Sequence, residues 1–217
     1  MTGAGGHRTF EAFCESAEVQ GRIDDCRLAP CQPTFATFPL LTAEPVWEVV
    51  FSALDANADG ALDGSDELCQ LDVLGYSWGG VNAADLARRM HDDPRVRAPW
   101  GVTRLVLLDA YQPGAKLTIP PNVERVVSFR HSTAPADDCS ANAPFGPYLG
   151  LAPRCAADAA GSIKQVCEDF DFSLSSARFG GRPGVKVGHC DVPRAARAAI
   201  VQVLKDEPLT EAPPPAR

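Results

Sequence analysis

Gly75-Tyr76-Ser77-Trp78-Gly79 has the form G-x-S-x-G and carries the chain's clearest chemical signal. It follows the short apolar run Leu71-Asp72-Val73-Leu74 and precedes Val81–Met90, whose pattern reads as a helix. A strand, a tight turn centred on serine and a helix form the context that exposes a strained serine hydroxyl as a nucleophile. Such a serine needs a base to take its proton. Of the four histidines, His189 is the candidate, because it follows a short strand and precedes a helix in Val187-Gly188-His189-Cys190-Asp191-Val192-Pro193. His91 ends the helix after the serine, next to Asp92 and Asp93, where the helix C-terminus accounts for it without catalysis. His7 and His131 have less specific surroundings. The base in turn needs an acid to fix its tautomer. Asp109, after the apolar run Leu105-Val106-Leu107-Leu108, is the first candidate; Asp137 and Asp138 are its rivals, and Asp191 is a third. The plainer alternatives are a structural loop histidine at 189 and a turn-capping aspartate at 109.

A second chemical pattern is the acidic loop Asp55–Asp66. Asp55, Asn57, Asp59, Asp63 and Asp66 stand at loop positions one, three, five, nine and twelve, and Ala61 at seven can offer its backbone carbonyl. Gly60 at six allows a sharp turn, and position eight is the apolar Leu62. Hard oxygen donors at this spacing suit one Ca²⁺ in a structural role. The plainer alternative is an acidic surface turn.

These residues must be carried by alternating strands and helices. The pattern predicts helices over 7–20, Glu44–Leu54 and Pro193–Leu204, and strands at Leu71–Leu74, Leu105–Leu108, Val123–Phe129 and Val185–Val187. Pro45 suits the first turn of its helix, where its missing N–H does no harm. Ser132–Gly184 reads as a Cys-rich irregular excursion between the last two strands. The alternation predicts an α/β fold with a mostly parallel sheet flanked by helices. Residues 1–206 read as one domain, with the acidic loop 55–66 as an insertion, and 207–217 as a Pro-rich disordered tail.

The chain has 217 residues, 45% hydrophobic and 22% charged, with a net charge of −8. The acidic balance argues against a nucleic-acid partner, and no apolar run approaches the roughly 18 residues of a membrane span. Eight cysteines without a C-x-x-C pair point to disulfides and an oxidising compartment, with reduced buried thiols as the alternative. We therefore expect a secreted or periplasmic protein, although Met1 leads straight into Thr2-Gly3-Ala4-Gly5-Gly6 with no signal sequence.

The order Ser77, Asp109, His189 resembles the serine, acid, histidine order of the α/β-hydrolase superfamily. Leu108-Asp109-Ala110 is similar to the strand-ending turn that carries the acid in lipases of the pancreatic type. The resemblance implies an oxyanion hole built from the N–H of Trp78 and a second donor. That donor would be the N–H of Ala4, in a glycine run similar to H-G-x-G but lacking its histidine. It also implies a missing first strand or strands upstream of Gly3, so the natural protein is expected to begin earlier, with an export signal. The acidic loop resembles EF-hand and dockerin calcium loops but carries Asp66 where EF-hands usually carry Glu. Two readings follow: a calcium-stabilised serine hydrolase of a small-molecule or lipid carboxylic ester, or a non-catalytic scaffold of the same fold acting as a calcium-dependent binding or surface protein.

Overall fold

A computed structural model describes residues 43–66, 71–133, 139, 147–155, 165–172 and 187–209. Its elements are helix α1 (Ala43–Leu54), strand β1 (Asp72–Tyr76), helix α2 (Trp78–Asp92), strands β2 (Val102–Leu108), β3 (Val123–Arg130) and β4 (Val166–Asp171), a 3₁₀ turn at His189–Asp191, and helices α3 (Val192–Ala195) and α4 (Arg197–Leu204). The four strands lie in the order β1-β2-β3-β4, and every pair is parallel. The architecture is therefore α/β.

Strand β2 explains why the sheet is parallel and covered on both faces. From Arg104 to Leu108 it is buried without a break, as a strand between two layers must be. Leu105 and Leu107 join a core with Val73, Val126 and the inner faces of α1 and α2. Val106 and Leu108 face the other way, into a core with Phe129, Val192, Ile200 and Val203. Helix α2 presents Ala83, Ala84 and Ala87 to its core, all at most 1% exposed. Such small side chains let it lie close on the strands. The closing helix predicted over Pro193–Leu204 is broken at Ala196 into α3 and α4.

The expectation for 132–184 needs correction. Val166–Asp171 inside that segment is the fourth strand of the sheet. Val187 is buried but outside any strand, and Val185 and Lys186 lie outside the described residues. β4 gives no apolar signal because it is the last strand of the described sheet and half its residues are exposed. Its acids pair with arginines of the neighbouring strand instead: Glu168 with Arg125 at 2.8 Å, Asp169 with Arg130 at 2.9 Å and Asp171 with Arg130 at 3.2 Å. Register across β3 and β4 brings these charges together. The helix predicted over 7–20, the cysteines at 14, 26, 31 and 69, and the tail from residue 210 lie outside the described residues.

Two disulfides occur among the described residues. Cys155–Cys167 links the chain before β4 to β4 itself, and Cys139–Cys190 joins the segment after β3 to the turn at His189. A crosslink closing a loop as long as the 51 residues of the second contributes about 2–4 kcal/mol. Among the described residues no helix is long and apolar enough to cross a membrane.

Arg104 is a buried cation, 1% exposed. Its guanidinium grips both carboxylate oxygens of Asp72 at 2.8 Å and donates to the carbonyls of Val203 and Leu204 and to Asp206. It thus joins β1 and β2 and adds a side-chain donor to two carbonyls at the end of α4, where the Val203 carbonyl also accepts the Asp206 N–H. Removing one member of such a network costs about 3–5 kcal/mol.

A second polar clip holds α1 against the end of α2. Asp93 accepts from the Trp47 indole N–H at 2.7 Å and from Arg95 at 2.6 Å. Arg95 also pairs with Glu48 at 2.7 Å and lies over the Phe51 ring, 4.0 Å from its centre. The hydrogen bonds from Arg95, and after them that from Trp47, hold the Asp93 carboxyl well below the ordinary carboxylate range against the opposing effect of burial. A carboxyl whose folded-state pKa is depressed adds stability above its unfolded value, and that stability is lost as pH falls through the folded value. The stability gap between wild type and Asp93→Asn, from urea unfolding, is therefore expected to be constant above about pH 5 and to shrink steadily below about pH 4. A gap that does not change with pH would show that the carboxylate charge contributes nothing.

Candidate active site

The parallel register sets the site. Tyr76 pairs with Leu108 and Leu108 with Phe129, so β1, β2 and β3 end side by side. The residues that follow, Ser77, Asp109, Arg130 and His131, share the carboxyl edge of the sheet, where such folds gather ligands.

Ser77 sits between β1 and α2 with φ 55° and ψ −128°. A non-glycine residue in this region is strained and persists only when its surroundings hold it. They do so through backbone bonds: the Ser77 N–H donates to the Leu108 carbonyl at 3.0 Å, and its own carbonyl accepts from Gly80 at 2.9 Å and Tyr111 at 3.0 Å. The turn is so tight that a Cβ on Gly75 would overlap the backbone of Gly79 and Gly80. Gly80, one residue past the motif, lies against Ala110 and has no room for a Cβ either. Asp109 also has positive φ, 45°, and its N–H donates to the Phe129 carbonyl at 2.7 Å. Its carboxylate is thereby turned away from the strand direction and into the site.

His189 arrives on the 3₁₀ turn at the far end of the chain and bridges the two. Its Nε2 is 2.9 Å from Ser77 Oγ, and its Nδ1 is 2.6 Å from Asp109 Oδ2. A carboxylate can only accept, so the proton belongs on Nδ1, which leaves the Nε2 lone pair facing the serine hydroxyl. The ring stacks on Tyr76, centres 5.1 Å apart, and meets the edge of Tyr148 at 5.2 Å; the Tyr76 hydroxyl donates to the His189 carbonyl at 3.3 Å. The Cys139–Cys190 disulfide ties down the next residue. Ser77, His189 and Asp109 are 4%, 3% and 0% exposed, so little water weakens their hydrogen bonds.

The structure thus brings together Ser77, His189 and Asp109. It turns Asp191 outward, where it pairs with Arg194 at 2.8 Å. His91 is half exposed and paired with Asp92 at 2.8 Å. Asp137, Asp138 and His7 lie outside the described residues, as does Ala4 of the expected oxyanion hole. Trp78 is the first residue of α2, so its N–H belongs to the group that finds no acceptor within the helix and favours negative charge. Its side chain is 41% exposed beside the serine.

Sequence reasoning passed over His131. It is fully buried at the end of β3, its backbone N–H donates to Asp109 Oδ1 at 2.8 Å, and its Nδ1 lies 2.7 Å from Asp109 Oδ2. The available signal was positional: Phe129-Arg130-His131 ends the strand next to that of Asp109.

In the acidic loop the side chains bond in sequence along the backbone. Asp55 accepts from the N–H groups of Asp59 and Gly60, Asn57 from Asp59, Asp59 from Ala61 and Asp63 from Ser65. Asp66, 5% exposed, accepts from Ala56 at 3.1 Å and Asp63 at 3.1 Å, which closes the loop on itself. The bonds from Ser65, backbone first and then hydroxyl, with Arg97 adding to them, hold the Asp63 carboxyl below its ordinary range. Leu62 is fully buried and lies opposite Val96, its N–H donating to the Arg95 carbonyl and its carbonyl accepting the Arg97 N–H, both at 2.8 Å, and the Trp100 indole donates to the Asp63 carbonyl. The loop is thus attached to the connection between α2 and β2. Among the described residues no group of three or more acidic, histidine or cysteine side chains converges closely enough to hold a metal ion.

Comparison of the chain with protein-family models, with curated proteins and with solved structures returned no match. The site therefore stands on its own geometry.

The tight turn makes one demand that can be measured without a substrate. Gly75→Ala should cost about 2 kcal/mol or more in urea unfolding, because its methyl meets backbone rather than a movable side chain. Gly64→Ala, where a Cβ has open space, should change stability by less than about 0.5 kcal/mol. Equal effects would mean that the turn is not constrained as described.

Proposed function

We propose that this protein is a serine hydrolase of carboxylic esters, with an α/β-hydrolase-like fold, working through an acyl-enzyme. The observation that carries the reading is the unbroken chain Ser77 Oγ, His189 Nε2, His189 Nδ1, Asp109 Oδ2, with links of 2.9 and 2.6 Å, on a serine with positive φ.

Each residue has a defined task. The Ser77 oxygen attacks the acyl carbon while His189 Nε2 takes the hydroxyl proton. Asp109 keeps the Nδ1 proton in place and stabilises the imidazolium that forms. The Trp78 N–H, with a second donor for which Ala4 is the candidate, carries the charge that develops on the carbonyl oxygen. His189 then gives its proton to the departing alkoxide, and the alcohol leaves. Water, deprotonated by the same nitrogen, attacks the acyl-enzyme, and the serine regains its proton as the acid product departs. The exposed Trp78 and the stacked pair Tyr111–Tyr148, with centres 4.6 Å apart, offer flat apolar surface for a small-molecule or lipid ester.

A fluorophosphonate probe tests this. The wild-type protein should be labelled once, and Ser77→Ala and His189→Ala should not be labelled. Asp109→Asn should lower ester hydrolysis by about three to four orders of magnitude. Absence of labelling in folded wild-type protein would favour the non-catalytic scaffold instead.

Calcium is the second part of the proposal. By type and spacing Asp55, Asn57, Asp59, Asp63, Asp66 and the Ala61 carbonyl are hard-oxygen donors of the kind calcium takes, and binding would have to draw the carboxylates together from their bonds to backbone N–H groups. Bound there, the ion would offset the charge of four carboxylates and secure the contact between the loop and the α2–β2 connection. Calcium at a hundredfold excess over Kd should stabilise the fold by about 2.7 kcal/mol, and Asp59→Ala should abolish that gain. A melting temperature indifferent to both calcium and chelator would exclude the site. Two disulfides among the described residues support an oxidising, secreted or periplasmic location.

A further inference from the structure

We propose that His131 is a positioning residue for the Ser77–His189–Asp109 relay: it shares the Asp109 carboxylate with His189, holds that carboxylate in place and limits how tightly His189 retains a proton. The inference rests on the serine hydrolase reading above and adds a residue to it.

The geometry around Asp109 is more crowded than the relay requires. Oδ2 lies 2.6 Å from His189 Nδ1 and 2.7 Å from His131 Nδ1. Oδ1 accepts the backbone N–H of His131. Both imidazoles and the carboxylate are buried, and the two rings are tilted with centres 6.3 Å apart. Two lone pairs at 2.7 Å would repel, so His131 Nδ1 carries its proton, as His189 Nδ1 does. The His131 N–H is not aligned with Oδ2 as a straight hydrogen bond would be, and the contact sets the positive end of the N–H dipole against the carboxylate.

The shared oxygen has a chemical consequence. A carboxylate stabilises an imidazolium in proportion to the negative charge it can offer. His131 draws on the same charge and leaves less of it for His189. This holds for a neutral His131, through its N–H dipole, and more strongly for a protonated one. Removing the His131 side chain should therefore make His189 keep its proton to higher pH. The acidic limb of the pH–rate profile, where His189 must be neutral to act as base, then moves upward. Other ionisable groups near the pair include Arg130, next to His131 in the chain and paired with Asp169 and Asp171, the hydroxyls of Tyr76 and Tyr148, and Asp191, on the turn of His189 and paired with Arg194. Asp171 also accepts the N–H of Ser132 at 3.2 Å. The two carboxylates share the one charge of Arg130 and sit on β4, so they do not replace the contact from His131.

The test compares wild type, His131→Phe, which keeps a ring but loses the donor, and His131→Asn, whose amide can donate from nearly the same place. The backbone N–H to Oδ1 survives in all three. Two readouts are taken against pH: kcat and KM for ester hydrolysis, and the NMR titration of the His189 ring. His131→Phe should lower kcat about tenfold or more with KM changed less than about threefold. It should also raise the midpoint of both the acidic limb and the NMR titration by about half a unit or more. His131→Asn should restore most of both. Unchanged midpoints in His131→Phe, or a downward move, overturn the proposal. So does a His131→Asn variant as impaired as His131→Phe, which would mark a packing role. If His131→Phe does not fold, the ¹⁵N shifts of the His131 ring in wild type decide: Nδ1 should carry a proton throughout the pH range of activity, and a His131 ring protonated on Nε2 alone overturns the proposal. Wild type that neither labels with the phosphonate nor cleaves esters defeats the hydrolase reading instead, and the His189 titration still reports on His131.

Discussion

A carboxylate without water must find its donors within the protein, and Asp109 is such a carboxylate. It is fully buried, and its oxygens are met by the His131 backbone, the His131 ring and the His189 ring. Segment 147–155 packs against it at Gly150. Gly150 donates to the His131 carbonyl and Leu151 to the Ala110 carbonyl, and a Cβ at Gly150 would overlap Asp109 Oδ1. If any of these donors were absent, the buried charge would carry an uncompensated desolvation cost of several kcal/mol. The stretches that carry His131 and His189 are thus held to one oxygen pair on a third, and the position of His189 over Ser77 depends on that arrangement.

The sheet supplies the frame in which this is possible. Parallel strands in register end at a common edge, so three successive strand ends place serine, aspartate and histidine side by side. Backbone strain at Ser77 and Asp109 then turns their side chains out of the strand direction and toward one another. The core on both faces of β2 holds the strands at fixed spacing, and Arg104 fastens α4 beneath them. The Cys139–Cys190 link sits beside His189, the one relay residue that belongs to no strand end. A covalent tie is most useful there, where the backbone ladder does not reach.

The acidic loop relates to the site through the far end of α2. Leu62 joins the loop to Val96, and the Asp93–Arg95–Glu48–Trp47 clip joins α1 to the same turn. Helix α2 runs from that turn to Ser77. A cation in the loop would therefore act on the proposed chemistry by fixing the helix that begins at Trp78, at a distance from the reacting atoms.

Local chemistry alone made several features readable. The Ser77 turn, α1, α2, β2 and β3 follow from glycine spacing and apolar runs, because those signals depend on neighbours in the chain. Asp109 and His189 could be ranked as candidates because each follows a predicted strand. The sequence could not show β4, whose stabilisation comes from arginines of β3 rather than from its own apolar residues. Nor could it single out His131, which looks ordinary in the chain and becomes distinctive only when β2 and β3 align. Glycine placement and hydrophobic pattern are short-range properties and belong to the sequence. The meeting of Ser77, Asp109, His131 and His189 depends on register, on burial and on a contact spanning 112 residues between Ser77 and His189, and only the tertiary structure decides those.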